Sequence, residues 1–146
     1  MINVWAHLIS VHIPVIGTPI LLIWIISNWK INLEKRWLWI YITLILMGII
    51  VSVSYFSGPS TADWVKNHYG LYNQNLVENH ALWGRIVFII QIFISLLGVM
   101  SLSNYLQDEK NSPKIHYLML ILLVINTIII LYTAHLGGLI RRVDLI

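Results

Sequence analysis

Four apolar stretches, each long enough to cross a bilayer, constrain this chain more than any other feature of its sequence: Leu8 to Trp29, Leu38 to Phe56, Ala81 to Tyr105 and Ile115 to His135. A hydrocarbon core of about 30 Å needs roughly 20 helical residues at about 1.5 Å each. Inside it every backbone N–H and C=O must be bonded within the protein, so each stretch is expected to be a helix. The sequence therefore predicts an all-α integral membrane protein: a four-helix bundle, antiparallel, running up-down-up-down as a single transmembrane domain over 1–146.

The connections support that order. Lys30 to Trp37 and Leu106 to Lys114 are short and polar, which folds neighbouring spans back on each other; Ser57 to His80 is longer and is expected to be a loop. Trp5, Trp29, Trp37, Trp39, Tyr55, Trp64, Trp83, Tyr105, Tyr117 and Tyr132 fall near the span ends, where amphipathic rings settle at headgroup level. Met1 to Trp5 carries no Lys or Arg, so the first stretch is expected to stay as a helix and not to be a cleaved signal.

We call the face at which the chain begins side A. Side B then carries Lys30, Lys35, Arg36, Lys110 and Lys114, against Lys66, Arg141 and Arg142 on side A, with Arg85 set aside because it lies within the third span. This bias points to side B as cytoplasmic and to both termini as periplasmic. The basic residues flank apolar runs and form no patch, so the formal charge of +3 speaks for membrane orientation and not for nucleic acid.

Composition narrows the chemistry. With no cysteine, the chain has no disulfide, no thiolate metal site and no covalent attachment of haem through C-x-x-C-H. No acidic residue lies inside a span, which argues against a carboxylate proton relay. Gln91, Asn126 and Thr127 at mid-membrane depth are expected to hydrogen-bond between helices. Pro14 and Pro19 are expected to kink the first helix, and Gly48, Ser52, Ser54, Gly84 and Gly98 to allow close approach of backbones.

The histidines carry the functional signal. Of six, His7, His12, His68, His80 and His135 fall on side A and only His116 on side B. His7 and His12 enter with the first helix, His80 opens the third and His135 closes the fourth, so three helices deliver imidazoles to one face. Ionisable groups this close to hydrocarbon are uncommon and mark candidate sites, whereas His68 and His116 read as ordinary interfacial residues. His7 and His12 differ by about 500° of helical turn, or about 140° between side chains, with about 7.5 Å of rise. Either the helix starts after His7, with Pro14 making an irregular start, or the two serve different partners.

Neutral imidazoles in a bundle suit haem b, one group or two, held through two axial histidines drawn from His7, His12, His80 and His135, with Gly84 leaving space and Arg85 available to a propionate. Copper or zinc on the same four residues is the alternative, with Glu78 or Asp63 completing or supporting the shell. The H-E-x-x-H pattern is absent, and no Ser, His and Asp spacing marks a nucleophile, so the chain reads as an electron-transfer or accessory subunit more than as a stand-alone enzyme.

The start His7-Leu8-Ile9-Ser10-Val11-His12-Ile13-Pro14-Val15 resembles the HPxxVHFPI opening of a bacterial four-helix membrane family of unknown function. The end, Thr133-Ala134-His135-Leu136-Gly137-Gly138, resembles that family's GHLGG-type close, and His80 resembles its third histidine site. Leu8, Ile13 and Ala134 depart from the pattern where proline, an aromatic and glycine are usual. The resemblance implies a cytochrome b-like role at the periplasmic face of a bacterial inner (plasma) membrane, beside cytochrome c or other respiratory subunits, with quinol a candidate reductant. The competing expectation is a non-catalytic membrane subunit of a larger complex, its histidines holding a structural copper or zinc ion or none.

Overall fold

The computed structural model describes residues 2–31, 34–68 and 73–141. They form four helices and, among the described residues, no strand: α1 (Ile2–Ile31), α2 (Glu34–His68), α3 (Gln74–Leu106) and α4 (Pro113–Arg141). Arg142, counted above in the charge bias, lies outside the described residues.

Each helix packs on two neighbours: α1 on α2, α2 on α3, α3 on α4, and α4 back on α1, the smallest of these interfaces. The helices thus stand at the corners of a square, with α1 facing α3 and α2 facing α4 across the axis. Contacts at both ends fix the antiparallel order. Asn3 donates to Ser60 Oγ at the end where α1 begins, and Trp29 meets Trp37 at the other. His80 reaches the Thr133 carbonyl near one end of α3 and Asn104 reaches Asn111 at the other.

All four helices are long and apolar enough to cross a membrane. Their faces are arranged as a lipid environment requires. Ile9, Ile13, Ile16, Ile20 and Ile23 form an exposed apolar stripe along α1, while its buried residues include Ser10, Thr18 and Asn28. The same inversion recurs in α3, where Ile89, Phe93 and Leu96 face out and Gln91, Ser95 and Ser101 face in. A water-soluble bundle would present the opposite pattern.

Because lipid tails are as apolar as leucine, helix association here depends on close packing and interhelical hydrogen bonds. Gly48 of α2 supplies the first: any Cβ there would collide with Ser95 of α3, whose hydroxyl donates to the Leu44 carbonyl at 2.9 Å. Gly98 brings α3 onto the Tyr41 carbonyl of α2, which an added Cβ would approach to 3.3 Å. At mid-bundle Asn126 Nδ2 of α4 donates to Gln91 Oε1 of α3 at 2.8 Å, the interhelical role expected for both residues. Toward side B the core is a cluster of Leu21, Ile25, Trp37, Ile40, Tyr41, Leu44, Ile94, Met119 and Leu123; toward side A it narrows to Val51, Val87 and Ile130.

The helices outrun the spans read from hydropathy. α1 starts at Ile2, six residues ahead of Leu8, so the irregular start after His7 is not what forms; the helix continues through Pro14 and Pro19. α2 passes through Pro59 to His68, and α3 begins at Gln74 behind an Asn73 cap whose side chain accepts from the Leu76 N–H at 3.1 Å. Most of the stretch expected to be a loop between Ser57 and His80 is therefore helix. The cause is lateral support: α1 alongside α2 gives the emerging backbone a partner beyond the hydrocarbon.

Candidate functional site

At the side A end of the bundle two of the four candidate imidazoles turn inward, each onto a neighbouring helix. His7 lies half-buried on the inner face of α1, and its Nδ1 sits 2.8 Å from the Ser54 carbonyl of α2, with Ser57 Oγ at 3.4 Å. A ladder of serines fixes this part of the α1–α2 interface. Ser54 Oγ donates to Ser10 Oγ at 2.8 Å, and Ser10 Oγ donates to the His7 carbonyl at 3.2 Å. Gly58 lies beside the ring, where an added Cβ would make ordinary contact at 3.6 Å from His7 Cε1.

His80 repeats the arrangement on the opposite corner. It is half-buried on α3, its Nδ1 lies 3.0 Å from the Thr133 carbonyl of α4, and Gly137 lies against the ring, where an added Cβ would be 3.1 Å from Cε1. His7 and His80 lie within electrostatic reach of each other, although α1 and α3 do not themselves pack together.

The shared hydrogen-bond pattern decides the tautomer. A backbone carbonyl only accepts, so in both residues Nδ1 must carry the proton and donate it. Each neutral ring then keeps its lone pair on Nε2, the nitrogen left to bind a metal. Anchoring the far N–H in this way orients an imidazole and makes it a stronger ligand.

The other candidates face elsewhere. His12 is exposed and bonds through Nδ1 to the Leu8 carbonyl of its own helix; His135 is exposed on α4. The offset of about 140° between His7 and His12 accounts for one facing in and the other out. Arg85 is exposed on α3, and next to it Gly84, a helical turn beyond His80, has open space where a Cβ would project. Glu78 is exposed and accepts from Gln74 Nε2 at 2.7 Å, and Asp63 is exposed on α2. Among the described residues no three His, Asp or Glu side chains gather closely enough to hold a metal ion.

A second polar cluster, at the side B end, was not anticipated from the sequence. Tyr41 Oη lies 2.6 Å from His116 Nε2, and the His116 ring stacks flat on Trp37 with centroids 4.0 Å apart. Trp29 meets both Trp37 and His116 edge-on. Trp37 and Tyr41 stand one helical turn apart on α2, which was the available signal; nothing in the sequence says that they meet His116 across the bundle.

Compared with protein-family models, characterised proteins and solved structures, the chain matches none.

Proposed function

We propose that this protein is a membrane electron-transfer subunit that would hold one haem b between α1 and α3, with His7 and His80 as the residues that would bind it through Nε2. The observation that carries this reading is the matched pair of imidazoles on opposite corners, each pinned through Nδ1 to a neighbouring helix's carbonyl. The donor count favours haem over a bare copper or zinc ion. A tetrahedral ion asks the protein for three or four ligands, whereas a porphyrin brings four nitrogens and leaves two positions for the protein, the number of imidazoles that gather here. His12 and His135, facing outward, favour a single haem over two.

When bound, the haem iron supplies reversible one-electron transfer, at a potential set by its axial ligands, their hydrogen bonds and the burial of the site. The chain's own contribution is positional. The Ser54 and Thr133 carbonyls hold the rings in register, Gly137 gives His80 clearance, and Gly84 leaves open space one turn from His80.

The charge bias supports a reading in which side A, and with it the site, faces the periplasm of a bacterium. A respiratory or cytochrome c subunit is then the natural exchange partner and quinol a candidate donor.

The test is the absorption spectrum of the detergent-purified protein, with haem extracted and quantified as its pyridine complex. A Soret band at one haem per chain is expected, lost in His7→Ala and in His80→Ala and retained in His12→Ala and His135→Ala. Absence of haem from protein expressed with ample haem supply, or loss of the band only in the two outward-facing variants, overturns the proposal.

A further inference from the structure

The side B cluster has a hydrogen-bond count that closes in one protonation state only. Asn111, in the connection between α3 and α4, donates through Nδ2 to Tyr41 Oη at 3.2 Å and to the Ser101 carbonyl at 2.9 Å, and its Oδ1 accepts from Asn104 Nδ2 at 3.0 Å. With Asn111 donating to the phenol, the single Tyr41 proton must go to His116 Nε2 at 2.6 Å. His116 is then neutral with a bare Nε2, and each hydrogen bond from Asn104 through Asn111 and Tyr41 to His116 Nε2 has one donor and one acceptor. Tyr41 is 2% exposed, so its side chain is packed against protein on nearly every side.

Protonating His116 puts a hydrogen on Nε2. The phenol oxygen then faces two donors, and its own hydrogen loses its acceptor inside a packed core, which disfavours the bonded arrangement. The ring has no reason to leave Trp37, because an indole face welcomes a cation. What yields is the Tyr41 side of the cluster, and with it the tie of Asn111 to α2, which leaves the connection held through Asn111 by α3 alone.

We propose that Tyr41, His116 and Asn111 form a proton-operated latch, holding the connection between α3 and α4 against the end of the bundle while His116 is neutral and releasing it when His116 takes up a proton. The groups around His116 leave it free to respond. It is faced by Trp29 from α1 and by Trp37 and Tyr41 from α2, while Tyr105 of α3 packs on the same cluster; of these, the two tyrosines are the titratable groups. Among the described side chains, the charged residues of that end, Glu34, Lys35, Asp108, Glu109, Lys110 and Lys114, are exposed, and Arg36 is half-exposed. None of them is hydrogen-bonded to the imidazole. The latch lies at the opposite end of the bundle from His7 and His80, so it stands or falls separately from haem binding.

The experiment is hydrogen–deuterium exchange of the segment 107–115 in the full-length protein in nanodiscs, from pH 8 to pH 4 and corrected for intrinsic exchange. Alongside it, His116 is titrated by the carbon-13 signal of its Cε1. Exchange of this segment is expected to rise at least tenfold with the same midpoint as the His116 signal. His116→Gln, which keeps an acceptor for Tyr41 but cannot titrate in this range, is expected to show flat exchange. Tyr41→Phe, which removes the competing donor, is expected to move the His116 midpoint to higher pH. Should His116→Gln fail to fold, the wild-type pair of measurements still decides. An imidazole that titrates without any change in exchange, or a segment whose protection is the same at pH 8 and pH 4, overturns the latch.

Discussion

Gly137 and Gly138 are adjacent on α4, and their surroundings differ in a way that isolates the positioning of His80. A methyl group at 137 would lie 3.1 Å from His80 Cε1, and one at 138 would meet nothing within 4 Å. Both sites are helical, so the gain of about 1 kcal/mol from replacing glycine by alanine in a helix applies to each and cancels in the comparison. What remains is the cost of moving the imidazole. Restoring ordinary contact requires a shift of about 0.3 to 0.5 Å. The Nδ1 to Thr133 carbonyl bond, now 3.0 Å, has little slack for such a shift before it ceases to be a sound hydrogen bond. Losing it costs about 1 kcal/mol, and crowding a packed interface adds to that, so Gly137→Ala should be less stable than Gly138→Ala by about 1 to 3 kcal/mol. Thermal unfolding of the two variants in the same detergent measures this difference. On the haem reading, the Soret band of Gly137→Ala also weakens or shifts while that of Gly138→Ala does not. Equal melting temperatures with equal spectra would refute the assignment of Gly137 as the clearance for His80.

Other substitutions separate the remaining contributions. Ser54→Ala removes the hydroxyl bonded to Ser10 but leaves the carbonyl that anchors His7, so haem content should hold while stability falls by about 1 kcal/mol; loss of haem would show that the hydroxyl itself orients the ring. Asn126→Leu strands the buried Gln91 amide and should destabilise the bundle by about 0.6 to 1.7 kcal/mol, and adding Gln91→Leu should recover part of that loss; additive losses in unfolding measurements would mean that the pair is not coupled. Gly48→Ala drives a methyl group into Ser95 and should cost about 1 to 3 kcal/mol, with partial rescue when Ser95 is replaced by glycine; rescue failing in the double variant would place the strain elsewhere.

Hydropathy reports the thickness of the bilayer, and so the four spans, their antiparallel order and the end of the bundle that collects histidines were all legible before any coordinates. It does not report where a helix stops. Ser57 to His68 is polar enough to read as loop, yet the helix continues through Pro59 to His68, and its extension lies alongside the start of α1, where Asn3 bonds the Ser60 hydroxyl. The inward or outward setting of each histidine was only half legible, and for a physical reason. In a soluble helix the apolar stripe marks the inner face, but here lipid and core are both apolar, so the pattern of hydrophobic residues carries almost no rotational phase. What carries phase is the rarer class of small and hydroxyl residues. Ser10 lies about 60° around the helix from His7 and Thr18 about 20° from it, so these residues share the face that packs on the serines of α2, whereas His12 falls among Ile9, Ile13 and Ile16 on the outer stripe. On α4 the same reasoning sets His135 outside, since it stands about 160° from Thr133, whose carbonyl faces His80, and about 140° from Ile130 in the core. Phase read from serine, threonine and glycine therefore selects His7 over His12, and the partner it selects on α3 is the histidine whose ring lies against a glycine of the next helix.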